Sequence, residues 1–150
     1  MKAFVLRIAP SGVDRVAEAL ESDSIIIGWS HAVGLLSPDL TWDRFRKIVS
    51  DTYYSEAKNL RKAGAASGNL WRFIRDMEVD DLVVVLQGRK FYVAKVAGPA
   101  KWIENKVSDD TAYRRPVNWL NQRKGIPRKH AKAALTSRMK SYEHALPQQI

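Results

Sequence analysis

Residues 68–98, GNLWRFIRDMEVDDLVVVLQGRKFYVAKVAG, constrain this chain more than any other stretch, because the hydrophobic period changes inside them. Leu70, Phe73, Ile74 and Met77 fall at i, i+3, i+4 and i+7, the apolar stripe of a helix that faces a core. An apolar β-branched run then occupies 82–86. Gln87-Gly88-Arg89 supplies a turn in which glycine is free to take positive φ, and 91–96 reads as a second strand. A helix passing through a short acidic turn into a buried hairpin is the expected spine of a small barrel. The flanking segments would complete its wall and furnish its mouth.

Upstream, residues 2–8 alternate as a strand, and Ser11 is the expected N-cap of a helix carrying Val13, Val16, Ala17 and Leu20. Residues 24–29, SIIIGW, are apolar and β-branched, which predicts a central, buried strand. It ends where Trp29 emerges beside Ser30 and His31. Beyond a Ser-Pro break, Thr41 is placed to cap a helix with Trp42, Phe45, Ile48 and Val49 inward. Residues 55–65 form another, anchored by Leu60, whose Ala-Gly-Ala-Ala-Ser-Gly ending is flexible or tightly packed. Past the hairpin, the polar loop 100–113 carries Trp102, and RRPVNWL (114–120) resumes as a strand in which Pro116 argues for an edge or a bulge. Pro127 opens a basic helix to about residue 145, with Ala131, Ala134, Leu135, Met139 and Tyr142 on its apolar side. The division expected is a barrel domain, 1–126, and a basic C-terminal helix, 127–150, packed on it or extending from it.

A chain of 150 residues with 45% apolar content suits one domain with a real core. With no cysteine, disulfides, thiol nucleophiles and Cys-ligated zinc are excluded. Three distant histidines do not suggest a metal site, and neither a membrane span nor a signal peptide is legible. The expected setting is cytoplasmic, with no cofactor. Charge is unevenly placed: residues 1–113 hold 16 Lys/Arg against 15 Asp/Glu, whereas 114–150 hold 9 against Glu143 alone. Such a basic quarter is what a polyanion-binding face requires, and also what a solubilising tail looks like.

Asp51 followed by Glu56-Ala57-Lys58 superficially matches a metal-dependent nuclease site. That chemistry needs its carboxylates converging on a cation, and Glu56 and Lys58 at a helix start point to different faces. Asp80-Asp81 reads as a turn, and neither a phosphate-cradling glycine loop nor a catalytic triad stands out. A binding domain is expected, not an enzyme. Of five tryptophans, Trp42, Trp71 and Trp119 fall on core-facing patterns. Trp29 and Trp102 lie where regular structure stops; they could sandwich a planar base, or cap the barrel and fold onto its surface.

In order, IIIGWS, GNLWRFIRDMEVDDLVVV, FYVAKVAG, RRPVNWL and IPR resemble the N-terminal domain of Mrr-type, modification-dependent restriction endonucleases, a PUA-like domain related to EVE and YTH domains. The resemblance spans about residues 3–130 and implies an α+β fold, a PUA-like mixed β-barrel with flanking helices. It implies a reader of a modified base, 5-methylcytosine or 5-hydroxymethylcytosine first, flipped from duplex DNA into an aromatic pocket. In that pocket Trp29 and Trp102 would be the walls, with Ser30 and Asn69 at the base edge, while Trp119 matches a mostly structural aromatic. Arg114, Arg115, Arg123, Lys124, Arg128, Lys129 and Lys132 would meet phosphates. Asp80 departs from the glycine usual in the family before Asp-Leu-Val-Val, and the nuclease domain that normally follows is absent from the sequence, which leaves either a stand-alone reader or a fragment of a longer protein, any nuclease activity being on another domain or chain. The competing readings are an RNA-binding reader of a base such as N6-methyladenine, the Asp51/Glu56/Lys58 nuclease, and an adaptor whose basic helix docks an acidic partner.

Overall fold

The computed structural model describes residues 1–131. Seven strands are present: β1 (Ala3–Leu6), β2 (Ser24–Ile27), β3 (Leu82–Gln87), β4 (Lys90–Val96), β5 (Lys101–Trp102), β6 (Tyr113–Trp119) and β7 (Ile126–Pro127). The α-helices are α1 (Val16–Glu21), α2 (Trp42–Tyr53) and α3 (Leu60–Trp71). The strands run in the order β1-β3-β4-β6-β2, with β5 against β6 and β7 against β4, in a mixed α+β fold whose sheet curls into a half-barrel flanked by helices. The β1–β3 pair is parallel and the others are antiparallel.

The period change at 68–98 is realised, but the helix is longer than its stripe. It begins at Leu60 and runs through Gly64 and Gly68 before one π-helical turn, Arg72–Asp76, closed by Met77 N–H donating to the Arg72 carbonyl at 2.9 Å. Ala63, Ala66, Ser67, Leu70, Phe73 and Met77 are buried. The small residues are therefore a tightly packed helix face, and the expected anchor Leu60 is 54% exposed. Asn69 correspondingly lies in the last turn of α3 and not near its start.

Other expectations need correcting. Strand 24–27 is buried, with Ile25, Ile26 and Ile27 in the core, yet it is the last strand of the sheet and not a central one. Packing by α1 and the curl of the sheet cover it, so burial on both faces does not require strands on both sides. Pro116 lies in β6 between neighbours. Val117 pairs with Val96 of β4 and Arg114 with Lys101 of β5, so the proline sits where the neighbouring chain turns the corner at Gly98. A Cβ on Gly98 would come within 2.7 Å of the Pro116 ring. α1 starts at Val16, where Asp14 accepts the Val16 N–H at 2.9 Å, while Ser11 lies outside the helix with φ +54 and Val13 and Ala17 face solvent. Thr41 does cap α2, accepting the Arg44 N–H at 3.3 Å, and Phe45 and Val49 are buried, although Trp42 is half-exposed. Pro127 opens no helix: Ile126 and Pro127 pair with Phe91 and Lys90, and a 3-10 turn follows at Arg128–His130. Ile126 and Ala131 pack on Val5, Val84, Leu86 and Phe91, the face of the sheet opposite the main core. The remainder of the expected helix, with Lys132, Ala134, Leu135, Met139 and Tyr142, lies outside the described residues.

The acidic turn is an ordered structural device. Asp81 is buried, and its two carboxylate oxygens accept the Lys2 and Glu78 N–H groups, each at 2.8 Å. Asp80, where the resembling family has glycine, adopts φ +77. Because a side chain is strained in the left-handed region, Asp80→Gly should stabilise the fold by about 0.5–1 kcal/mol, read as a higher urea midpoint at unchanged m-value.

Candidate functional site

The sheet's two end strands, β1 and β2, do not pair, and a cleft of about 470 Å³ opens between the segments that follow them. Arg7, Pro10 and Ser11 line one side, Ile27, Gly28 and Trp29 the other, with Tyr53 of α2, Asn69 of α3 and Asp110 completing the lining. The cleft is thus built by five separate segments, which meet only because the sheet curls.

Trp29 is held hard. Its φ is +61, a region that bulky residues avoid, and its indole N–H donates to the Tyr54 hydroxyl at 3.0 Å. The Ser30–His31 peptide is pinned by Tyr53, whose hydroxyl accepts the His31 N–H at 2.9 Å. Burial pushes the Tyr53 pKa up against the opposing effect of that hydrogen bond, and the nearby Asp110 charge adds to the rise. The phenol therefore keeps its proton and can donate it. Among the described residues eight non-glycine positions have positive φ, and three of them, Ser11, Trp29 and Asp110, line this cleft. Strain concentrated in this way is characteristic of ligand sites, where surrounding contacts hold it in place.

Asp110 links the two sides. One oxygen accepts the Ser30 N–H at 2.9 Å and the other the Ser11 hydroxyl at 2.7 Å. Gly28 makes the approach possible: a Cβ there would lie 2.9 Å from the second oxygen and 3.3 Å from Pro10 Cβ. Gly28→Ala should therefore displace the carboxylate, lower stability by about 1–3 kcal/mol and distort the cleft. Thermal unfolding reads the first effect and loss of ligand affinity the second.

Of the four pocket residues expected from sequence, Trp29 and Asn69 line the cleft and Ser30 and Trp102 do not. Ser30 is fully buried; its hydroxyl accepts the Ala112 N–H at 3.0 Å and its carbonyl the Trp102 indole N–H at 2.9 Å. Ser30 and Trp102 form the junction behind the cleft that fixes Trp29 in front of it. The aromatic that joins Trp29 is Tyr53, which sequence reasoning missed. The adjacent pair Tyr53-Tyr54 at a helix end was the available signal.

The basic residues also divide. Arg114 is buried, bonded to Glu18, to the Thr111 carbonyl at 2.8 Å and to the Thr111 hydroxyl at 3.0 Å. Arg115, also buried, donates to the carbonyls of Phe73 (2.9 Å), Met77 (2.7 Å) and Gly98 (3.0 and 3.1 Å). Burial lowers its pKa, and Asp81 opposes that shift. Both guanidiniums are engaged inside the fold and face no phosphate. Arg123 is exposed but bridges Asp23, while Lys124 and Lys129 are exposed and Arg128 is half-exposed. Asp51 pairs with Lys47 at 3.0 Å on α2, and Glu56 pairs with Lys58 at 3.1 Å in the following loop. Each acid of the nuclease-like motif is engaged by a nearby lysine on the exposed surface.

Over residues 10–143 the sequence matches the family described as Domain of unknown function (DUF8426). The chain belongs to that family. The match begins at Pro10, on the rim of the cleft, so Trp29, Tyr53, Asn69 and Asp110 all lie in the family's domain. No curated protein and no solved structure matches the chain. Among the described residues, no helix is long and apolar enough to cross a membrane.

Proposed function

We propose that this protein is a nucleic-acid-binding reader in which the cleft between β1 and β2 receives a modified base flipped from duplex DNA, 5-methylcytosine or 5-hydroxymethylcytosine first. On this reading the half-barrel is PUA-like, of the EVE/YTH type. The domain binds without catalysing, needs no cofactor, acts in the cytoplasm, and serves as the specificity module for a nuclease on another domain or chain. The observation that carries the reading is the strained, doubly anchored Trp29, which lines the cleft together with Tyr53. A volume of about 470 Å³ is in the range of small-ligand sites. Stacking on Trp29 offsets the few kcal/mol of unstacking, and surface lysines hold the splayed backbone.

Phosphate contact falls to Lys124, Arg128 and Lys129, with Arg123 beside them and Lys132 beyond the described residues. Arg114 and Arg115 take no part. The test is equilibrium binding at fixed moderate salt to one duplex carrying cytosine, 5-methylcytosine, 5-hydroxymethylcytosine or N6-methyladenine, with an RNA counterpart. A tenfold or greater preference for one modified DNA supports the reading. Preference for the RNA would transfer it to a single-strand reader, and equal, salt-limited binding to all would leave the basic surface as an adaptor for acidic partners.

A further inference from the structure

We infer that Asp110 is the specificity-determining residue of the cleft, accepting a hydrogen bond from an exocyclic amino group, so that bases of the cytosine and adenine class enter and thymine or uracil does not. This deepens the base-reading proposal and rests on it. A carboxylate is an odd lining for a site that serves a polyanion, because it repels phosphate. Its presence is accounted for if the incoming group is a hydrogen-bond donor. Each Asp110 oxygen already accepts one bond, from Ser30 N–H and from Ser11 Oγ, which orients the carboxylate. Each oxygen keeps a second lone pair for a ligand. The Gly28 gap lets that carboxylate sit against the end of β2, beside Trp29.

The other polar groups are complementary. Asn69 Oδ1 accepts an Arg72 N–H at 2.7 Å, which leaves the amide NH₂ as the unclaimed end, and Tyr53 retains its hydroxyl proton. Beside the Arg7 guanidinium and the Ser11 hydroxyl, which is spent on Asp110, the cleft thus offers Asp110 as acceptor and Asn69 and Tyr53 as donors around a ring stacked on Trp29. Cytosine presents an amino donor at C4 and acceptors at N3 and O2, whereas thymine presents a carbonyl at C4 that would meet the carboxylate oxygen to oxygen. A buried mismatch of that kind discriminates far more strongly than a methyl group does.

The experiment uses the full chain and duplexes in which one nucleotide stands opposite an abasic site, so that extrusion costs little for any base. 5-Methylcytosine and thymine share the methyl group and differ at C4 and in the proton at N3. Wild type is expected to bind 5-methylcytosine at least tenfold more tightly than thymine. Asp110→Asn, which tolerates the φ of +59 and keeps one acceptor, should bring that ratio within about threefold while its thermal midpoint is retained. Equal wild-type affinities, or an undiminished ratio in Asp110→Asn, would overturn the assignment even if Trp29→Ala abolishes modified-base preference. If Trp29→Ala changes neither affinity, base reading itself has failed and this inference falls with it. An aromatic cleft with a carboxylate can also hold a methylated ammonium. Displacement of the DNA by a trimethyllysine peptide, lost in both variants, would overturn the inference in favour of a cation cage.

Discussion

Arg115→Ala should lower unfolding stability by about 3–5 kcal/mol. The guanidinium reaches three carbonyls: Phe73 and Met77 around the π-helical turn, and Gly98 at the corner between β4 and β5. Helix ends leave such carbonyls orphaned and carry partial negative charge, so a buried cation there serves as cap and counter-charge together. Truncation takes the Arg115 donors from all of them and removes the positive charge facing Asp81. A fall of that size shifts the thermal midpoint by about 10 °C or more. Arg115→Lys should recover only part, because one ammonium cannot span the fork. If Arg115 instead met phosphates, its alanine variant would keep its midpoint and lose only nucleic-acid affinity, the behaviour expected of Lys129→Ala. That lysine variant should weaken every sequence alike and reduce the salt slope by about one.

Trp29→Ala should cost about 1–3 kcal/mol of base stacking, a roughly 5- to 150-fold loss of affinity for the preferred modified duplex, while weak salt-sensitive binding persists. The same substitution removes the indole bond to Tyr54 but leaves the backbone of the turn held through Ser30 and His31, so the fold should survive. Trp102→Ala is expected to differ. Its indole supports the Ser30 carbonyl behind the cleft, so its loss should appear first as reduced stability and only indirectly as reduced selectivity. Competition titrations paired with urea unfolding separate the two. A Trp102→Ala protein of wild-type stability that has lost all selectivity would restore Trp102 as a direct wall.

The contrast between these residues shows what a single sequence can and cannot convey. The 68–98 segment was legible because its signal is local. A 3.6-residue period, a Gly turn and β-branched runs depend on neighbours in the chain, and the α3–β3–β4 spine follows them. The Thr41 cap was readable for the same reason. Helix length was misjudged because α3 continues through Gly64 and Gly68, residues of low helix propensity, while its Ala63, Ala66, Ser67 and Leu70 are buried. The basic cluster misled because Arg114 and Arg115 look identical in sequence to surface arginines. Their burial depends on Glu18, Phe73, Met77 and Gly98, which lie 17 to 96 positions away.

The residue pattern alone therefore pointed to a helix-to-hairpin spine and singled out Trp29 together with Trp102, while Asn69 entered only through the family resemblance. Only the tertiary structure decided that β1 and β2 end the sheet and leave a gap between them. It also decided that Tyr53 and Asp110 line that gap together with Trp29, and that Ser30 and Trp102 bond to one another outside its lining. The physical reason is that local patterning is written in short-range backbone and burial preferences. A cleft of this kind is instead defined by which distant segments a curled sheet brings within hydrogen-bonding distance.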